Sequence, residues 1–237
     1  MEILASKYFY CYILIATIAY PLLQSFESKL QFYKKWKSLL PAILLCVIIH
    51  GSIDILFTSL GVWSFNPNYI LGIKIFYLPI EELLWFIVTP YACVFIYEVL
   101  IAYFPNVSLQ TTTKIVSLII VLFGTTLALT HLDNWYTLSA CALAVLIVVF
   151  GMQGKYIWYP RAIFAFLVAQ LPFLIVNGIL TGIATPEPVV WYSAFHIVGI
   201  RIFTIPVEDV FYNFSMLIPI IGLYHFFKAR YHGIEVK

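Results

Sequence analysis

The chain has 237 residues, 63% of them hydrophobic and 10% charged, with a formal net charge of +2. A soluble domain carries about 25% charged residues, so a water-soluble globular protein is excluded and a multi-pass protein of the cell membrane is expected. No basic cluster beyond one short loop is present, and no nucleic-acid partner is indicated.

Apolar runs of about 20 residues, the length that crosses a bilayer as a helix, recur along the chain. The first lacks the positive n-region and small-residue cleavage site of a signal peptide and reads as a membrane helix. Seven helices are expected, near 4–23, 39–60, 76–101, 113–131, 134–152, 161–182 and 203–227. The alternating ten-residue segments of a transmembrane barrel are missing, so the fold class is all-α transmembrane. Lys29, Lys34, Lys35, Lys37, Lys114, Lys155, Arg161, Lys228, Arg230 and Lys237 fall on one side of this threading, against Lys7, Lys74 and Arg201 on the other. Basic residues favour the cytoplasm, so the N-terminus is expected outside and the C-terminus inside. Cys11, Cys46, Cys93 and Cys141 all lie in apolar spans without a C-x-x-C, which indicates neither a disulfide framework nor a zinc site.

"GIKIFYLPIEELLW" (Gly72 to Trp85) pairs position by position with "GIRIFTIPVEDVFY" (Gly199 to Tyr212) at an offset of 127 residues. Lys74 matches Arg201, Pro79 matches Pro206, Glu81 matches Glu208 and Glu82 matches Asp209; His50-Gly51 and Asn177-Gly178 share the offset. Residues 1–112 and 132–237 therefore read as two three-helix repeats of one orientation, joined by a linker helix at 113–131. This 3+1+3 arrangement brings both acidic pairs toward the outer side.

Proline favours a helix start and acids in a first turn suit the helix dipole, so capping alone explains each pair locally. The preceding segments are too apolar for watery loops and read as interfacial or re-entrant helix. Asp54 lies in the middle of a helix, where no capping role exists and the repeat offers only Thr181. Acids at membrane depth need a partner or a cavity. Asp54, Glu81, Glu82, Glu208 and Asp209 are the candidate catalytic groups, converging on one pocket between the halves. Neighbouring helix residues point about 100° apart, and Glu81 and Glu208 are expected to face inward, while their neighbours Glu82 and Asp209 meet the charge partners Lys74 or Arg201, or the opposite pair. Trp63, Tyr77, Trp85, Phe86, Phe211 and Tyr212 are the candidate substrate-binding aromatics; belts at the membrane interface explain many such rings, but an acid pair ringed by aromatic faces also suits a carbocation. His50 and His196 read as structural, as do Glu98 and Asp133. No metal motif, G-x-G-x-x-G or P-loop is present, so no metal or cofactor is indicated; a reduced-cofactor requirement stays open.

Asp54, "GVWSF" (Gly61 to Phe65), "PIEELLWF" (Pro79 to Phe86) and "GIRIFTIPVEDVFYNF" (Gly199 to Phe214) resemble the small integral-membrane lycopene cyclases, whose halves occur as two subunits or as one fused chain. The resemblance spans both halves and implies the fused form. It also implies a substrate, lycopene or a related linear carotenoid reached through membrane lipid, and a non-redox isomerisation of its ψ-ends to ionone rings on the way to β-carotene or a relative. One carboxyl must donate a proton and another group must accept one, and paired carboxylates in different environments suit that task. The rival is a small-solute carrier, since 3+1+3 parallel repeats with intramembrane acids also describe proton-coupled transporters. A retinal photoreceptor would need a lysine within the last helix, whereas Lys228 sits at its far end. A non-catalytic carotenoid-binding subunit would leave lycopene unchanged.

Overall fold

The computed structural model describes residues 6–232; Lys237 and the start of the helix expected at 4–23 lie outside the described residues. Seven α-helices are present: α1 (Phe9–Gln24), α2 (Trp36–Ser59), α3 (Ile80–Tyr103), α4 (Gln110–Thr130), α5 (Trp135–Gly154), α6 (Tyr159–Leu180) and α7 (Glu208–His232). Six are long and apolar enough to cross a membrane, and α1, at 16 residues, is shorter. Uninterrupted Leu, Ile, Val, Phe and Ala make these segments helical for a simple reason: in hydrocarbon every backbone N–H and C=O must be satisfied within its own segment. Interior prolines at Pro21, Pro41, Pro90, Pro172 and Pro219 are tolerated in that setting. At the end of α1 the Pro21 carbonyl accepts a bond from the Ser25 hydroxyl at 2.7 Å.

The helices pack with α3 and α7 at the centre of the bundle. Helix α4 is peripheral, packed on α5 and α6, and its Ile115, Leu118, Leu122 and Phe123 are exposed as lipid-facing residues would be. Gly124 allows its close approach to α5, because a Cβ there would lie 2.9 Å from Val145 and 3.3 Å from the Phe211 ring.

The largest departure from the sequence reading lies in the two long connections. The segments before Pro79 and Pro206 are not interfacial or re-entrant helix. Each is a two-stranded hairpin: β2 (Lys74–Ile75) with β3 (Leu78–Pro79), and β5 (Arg201–Ile202) with β6 (Ile205–Pro206). Gly72 and Gly199 adopt φ of 82° and 83°, open to glycine and strained for other residues, and turn the chain into each hairpin. Phe76 and Phe203, both at φ 56°, begin the two-residue turns. The hairpins take up the first residues of the helices expected at 76–101 and 203–227, so α3 and α7 start at Ile80 and Glu208. A third pairing joins the two connections. Strand β1 (Trp63–Phe65) runs antiparallel to β4 (Val190–Tyr192), with Ser64 opposite Trp191, two residues that are themselves 127 apart.

The opposite end of the bundle is held by one buried carboxylate. Glu98 meets Lys35 at 2.5 Å and Lys228 at 3.5 Å, and the Tyr224 hydroxyl donates to it at 2.6 Å. These contacts tie the α1–α2 connection and α7 to α3, in keeping with a structural role for Glu98. Removing one member of a buried, charge-assisted network costs about 3–5 kcal/mol. Glu98→Ala is expected to lower the thermal melting midpoint of the detergent-purified protein by several degrees and to reduce its yield in membranes; an unchanged midpoint would show that the network contributes nothing.

Candidate active site

The acidic pairs open α3 and α7 at the hairpin end, and each pair divides its labour in the same way. Glu81 turns toward its own hairpin: its Oε1 accepts the Leu71 backbone N–H at 2.6 Å and lies 3.8 Å from the Cys11 sulfur. Glu208 accepts the Val198 N–H at 2.6 Å and the Thr137 hydroxyl at 2.6 Å. Both carboxyls are fully buried, and each clamps the connection that precedes its helix onto the first helix of its half, α1 for Glu81 and α5 for Glu208. The expectation that Glu81 and Glu208 face the shared pocket is thus reversed. About 100° of helix rotation aims their neighbours inward instead, and Glu82 and Asp209 line a common cavity.

That cavity lies between the halves and has a volume of about 60 Å³. Glu82 receives the Tyr10 hydroxyl at 2.6 Å, and Asp209 receives the Tyr136 hydroxyl at the same distance. Tyr10 and Tyr136 are the residues just before Cys11 and Thr137, so α1 and α5 serve both acids of their pair in the same order. Asp209 gains two further donors, the Asn177 amide at 2.7 Å and the Tyr192 hydroxyl at 2.9 Å. Burial, with the Asp209 carboxylate beside it, pushes the Tyr192 hydroxyl well above its ordinary value and keeps it a proton-bearing donor. Asp54 of α2 is the third carboxyl in the cavity. It is 3% exposed, and its buried Oδ2 has no hydrogen-bond partner. The three acids therefore differ in kind: among the described residues Asp209 is held by three donors, Glu82 by one and Asp54 by none.

The walls are aromatic. Trp63, Trp85 and Tyr212 line the cavity as expected, with Tyr10, Phe65, Tyr136, Phe173 and Tyr192 added. The Trp63 ring meets Tyr136 edge-on at 5.1 Å and Tyr212 at 6.4 Å. Three expected aromatics lie elsewhere. Tyr77 sits 61% exposed in the β2–β3 turn, because that segment is a hairpin and not helix. Phe86 stacks on His50, and Phe211 packs beneath Gly124 on the α4 side, each turned away by the helix rotation that aims its neighbour inward. Lys74 and Arg201 are not charge partners of the acids either. Both lie exposed on the hairpin strands, where Arg201 donates to the Thr204 carbonyl and sits 6.0 Å from the Tyr192 ring. Among the described residues the ion pairs are those of Glu98, and no three His, Cys, Asp or Glu side chains are grouped to hold a metal ion.

Asn177, Tyr10 and Tyr136 escape a reading of the sequence. Asn177 had a signal, its match with His50 at the repeat offset, but the two diverge in role: His50 packs edge-on against Tyr212 at 5.5 Å while Asn177 binds Asp209. The tyrosines had none, since a hydroxyl in an apolar helix declares its partner only once the helices are packed.

No curated protein and no solved structure matches the chain. The model of one family, described as lycopene cyclase, matches residues 7–100 and 133–227. Each matched segment contains one acidic pair with its hairpin and clamp, and the unmatched stretch between them contains α4. With most of its length matched, including all three carboxyls of the cavity, this multi-pass membrane protein belongs to the lycopene cyclase family.

Proposed function

We propose that the chain is a fused lycopene cyclase that closes the ψ-ends of lycopene by acid–base chemistry in the cavity between its halves. The observation that carries this reading is that three carboxyls with unlike hydrogen bonding open into one aromatic-walled cavity. On this reading residues 1–112 and 132–237 are parallel repeats about the linker helix, with the cavity toward the outer side of the membrane and the C-terminus inside. The recurrence of each clamp and each tyrosine–acid bond in the second half supports that arrangement.

Asp54 is the proton donor. Among the described residues no hydrogen-bond donor meets Asp54, and a buried carboxylate with no donor would be an isolated charge in apolar surroundings, costly enough that the neutral acid is the form that fits. Its proton goes to C2 of the ψ-end and leaves a cation at C1. The C5–C6 double bond attacks C1, the C1–C6 bond closes the ring, and the charge moves to C5. Asp209, facing three donors and able only to accept when ionised, serves as the fixed counter-charge. The Trp63, Trp85 and Tyr212 faces add their quadrupoles to the stabilisation. Glu82, with one donor, is the base that removes a proton from the ring cation: loss from C6 produces a β-ring, loss from C4 an ε-ring. Atoms and electrons balance without a redox partner. A cavity of about 60 Å³ holds a few waters and is smaller than an ionone ring, so the aromatic wall must yield as the substrate enters and displaces water from the acids.

Expression in bacteria that accumulate lycopene is expected to convert the red pigment to cyclic products separable by chromatography; unchanged lycopene would refute the reading. Asp54→Asn and Asp209→Asn are each expected to lower cyclisation about 100-fold or more at normal membrane levels. Glu82→Asp is expected to retain turnover but alter the ratio of ring isomers, because a shorter base reaches a different proton. Glu81→Gln and Glu208→Gln keep an acceptor for the backbone N–H, and are expected to destabilise the fold by roughly 1–2 kcal/mol while cyclisation falls less than tenfold. A full loss of activity in both clamp variants, with full activity in Asp209→Asn, would return the catalytic role to the clamps.

A further inference from the structure

The acid cavity does not end at its aromatic wall. Trp85 of α3 and Phe173 of α6 also line a second hollow of about 40 Å³ between α1, α3, α6 and α7, walled by Thr17, Thr89, Ala169 and Val176. That hollow in turn shares Ile96 with a third, of about 430 Å³, which continues along α3 past Leu100 to Tyr103. The three lie in a row along the α1–α3–α6 cleft, each sharing lining residues with the next. From Trp85 to Tyr103 the cleft follows 18 residues of helix α3, about 27 Å at 1.5 Å per residue. That approaches the ~30 Å hydrocarbon thickness of a bilayer, the scale of an extended carotenoid.

The other half contains the counterpart of this cleft, and it stands apart from the acid cavity. Thr89, Ile96 and Val176 correspond at the repeat offset to Met216, Leu223 and Ile49, which line a hollow of about 150 Å³ between α2, α5 and α7. This hollow shares no lining residue with the acid cavity. Its own His50 closes it off, stacked on Phe86 at 6.1 Å and edge-on to Tyr212 at 5.5 Å. At the position equivalent to Phe173, the second cleft has Cys46.

We infer that the polyene chain of the substrate lies in the α1–α3–α6 cleft, one end at the acids and the rest extended along α3, with Trp85 and Phe173 as the neck through which each ψ-end reaches the cavity. The assignment rests on the cyclase reading and adds to it a path, a side and a direction. The cleft suits a hydrocarbon: its middle hollow is walled almost wholly by apolar atoms, and Leu171 and Ile175 stand exposed beside it on α6, so a lipid-dissolved chain enters sideways without crossing water. The charged side chain among the lining residues of these two hollows, Glu27, lies at the far end beside Gln24.

Two matched pairs of variants test this in the full-length chain in lycopene-accumulating membranes. Val176→Trp fills the proposed cleft, and Ile49→Trp makes the same change at the equivalent position of the closed one. Val176→Trp is expected to lower lycopene consumption about tenfold or more, and Ile49→Trp to leave it within about twofold at equal protein level. Independently of turnover, p-benzoylphenylalanine placed at Ile96 is expected to cross-link lycopene on irradiation and co-purify its chromophore, and the same group at Leu223 is not. Wild-type cyclisation with equal activity in both tryptophan variants, or with cross-linking at Leu223 alone, would overturn the cleft assignment and leave the cyclase reading standing. Absence of cyclisation in the wild type would instead remove the reading on which it rests.

Discussion

A carboxyl group surrounded by hydrocarbon must find a hydrogen-bond donor, give up its charge, or open onto water, and most of the hairpin end of this protein is arranged around that requirement. Five carboxyls lie there within a few helical turns. Glu81 and Glu208 meet it with backbone N–H groups, which obliges the connections before α3 and α7 to fold back as hairpins and present Leu71 and Val198. Glu82 and Asp209 meet it with tyrosine hydroxyls, which draws α1 and α5 against the starts of α3 and α7. The helix packing and the hydrogen bonding at this end are one solution to one cost.

The near-symmetry of that solution makes its asymmetries informative. Both halves have a clamp acid, an inward acid and a tyrosine for it, yet Asp54 has Thr181 as its counterpart, and Thr181 bonds only to the Asn177 carbonyl and nearby hydroxyl and backbone oxygens. Asn177 and Tyr192 donate to Asp209, while Glu82 has no such additions. A cavity built from two equal acids would have no reason to send a proton one way. Unequal donors are what allow one carboxyl to hold a proton while its neighbour holds a charge. The same inequality extends outward on the proposed reading, where one lateral cleft opens through Phe173 and its twin is shut by His50.

Much of this was legible before any coordinates. The seven helices, the doubled P-x-E-[ED] motif, the place of Asp54 among the acids and the aromatic character of the surroundings all follow from residue type, hydropathy and a fixed offset. The two apolar connections read as helix from hydropathy because apolarity alone does not separate a membrane helix from a buried hairpin. Glycine at Gly72 and Gly199 and β-branched residues around the proline were the local signs of a hairpin. Lys74 and Arg201 stand apart from the acids because the hairpin strands hold them exposed.

By itself, then, the sequence determined that the chain has the helices of a membrane protein, that two segments match at a fixed offset of 127 residues, and that acids recur beside proline at the two matching helix starts, because these depend on composition and on spacing along the chain. Only the tertiary structure decided which acid of each pair looks inward. Two carboxylates adjacent in sequence are chemically near-equivalent until a helix rotates one toward a backbone amide and the other toward a tyrosine from a distant helix, and that rotation is set by packing between segments more than 60 residues apart.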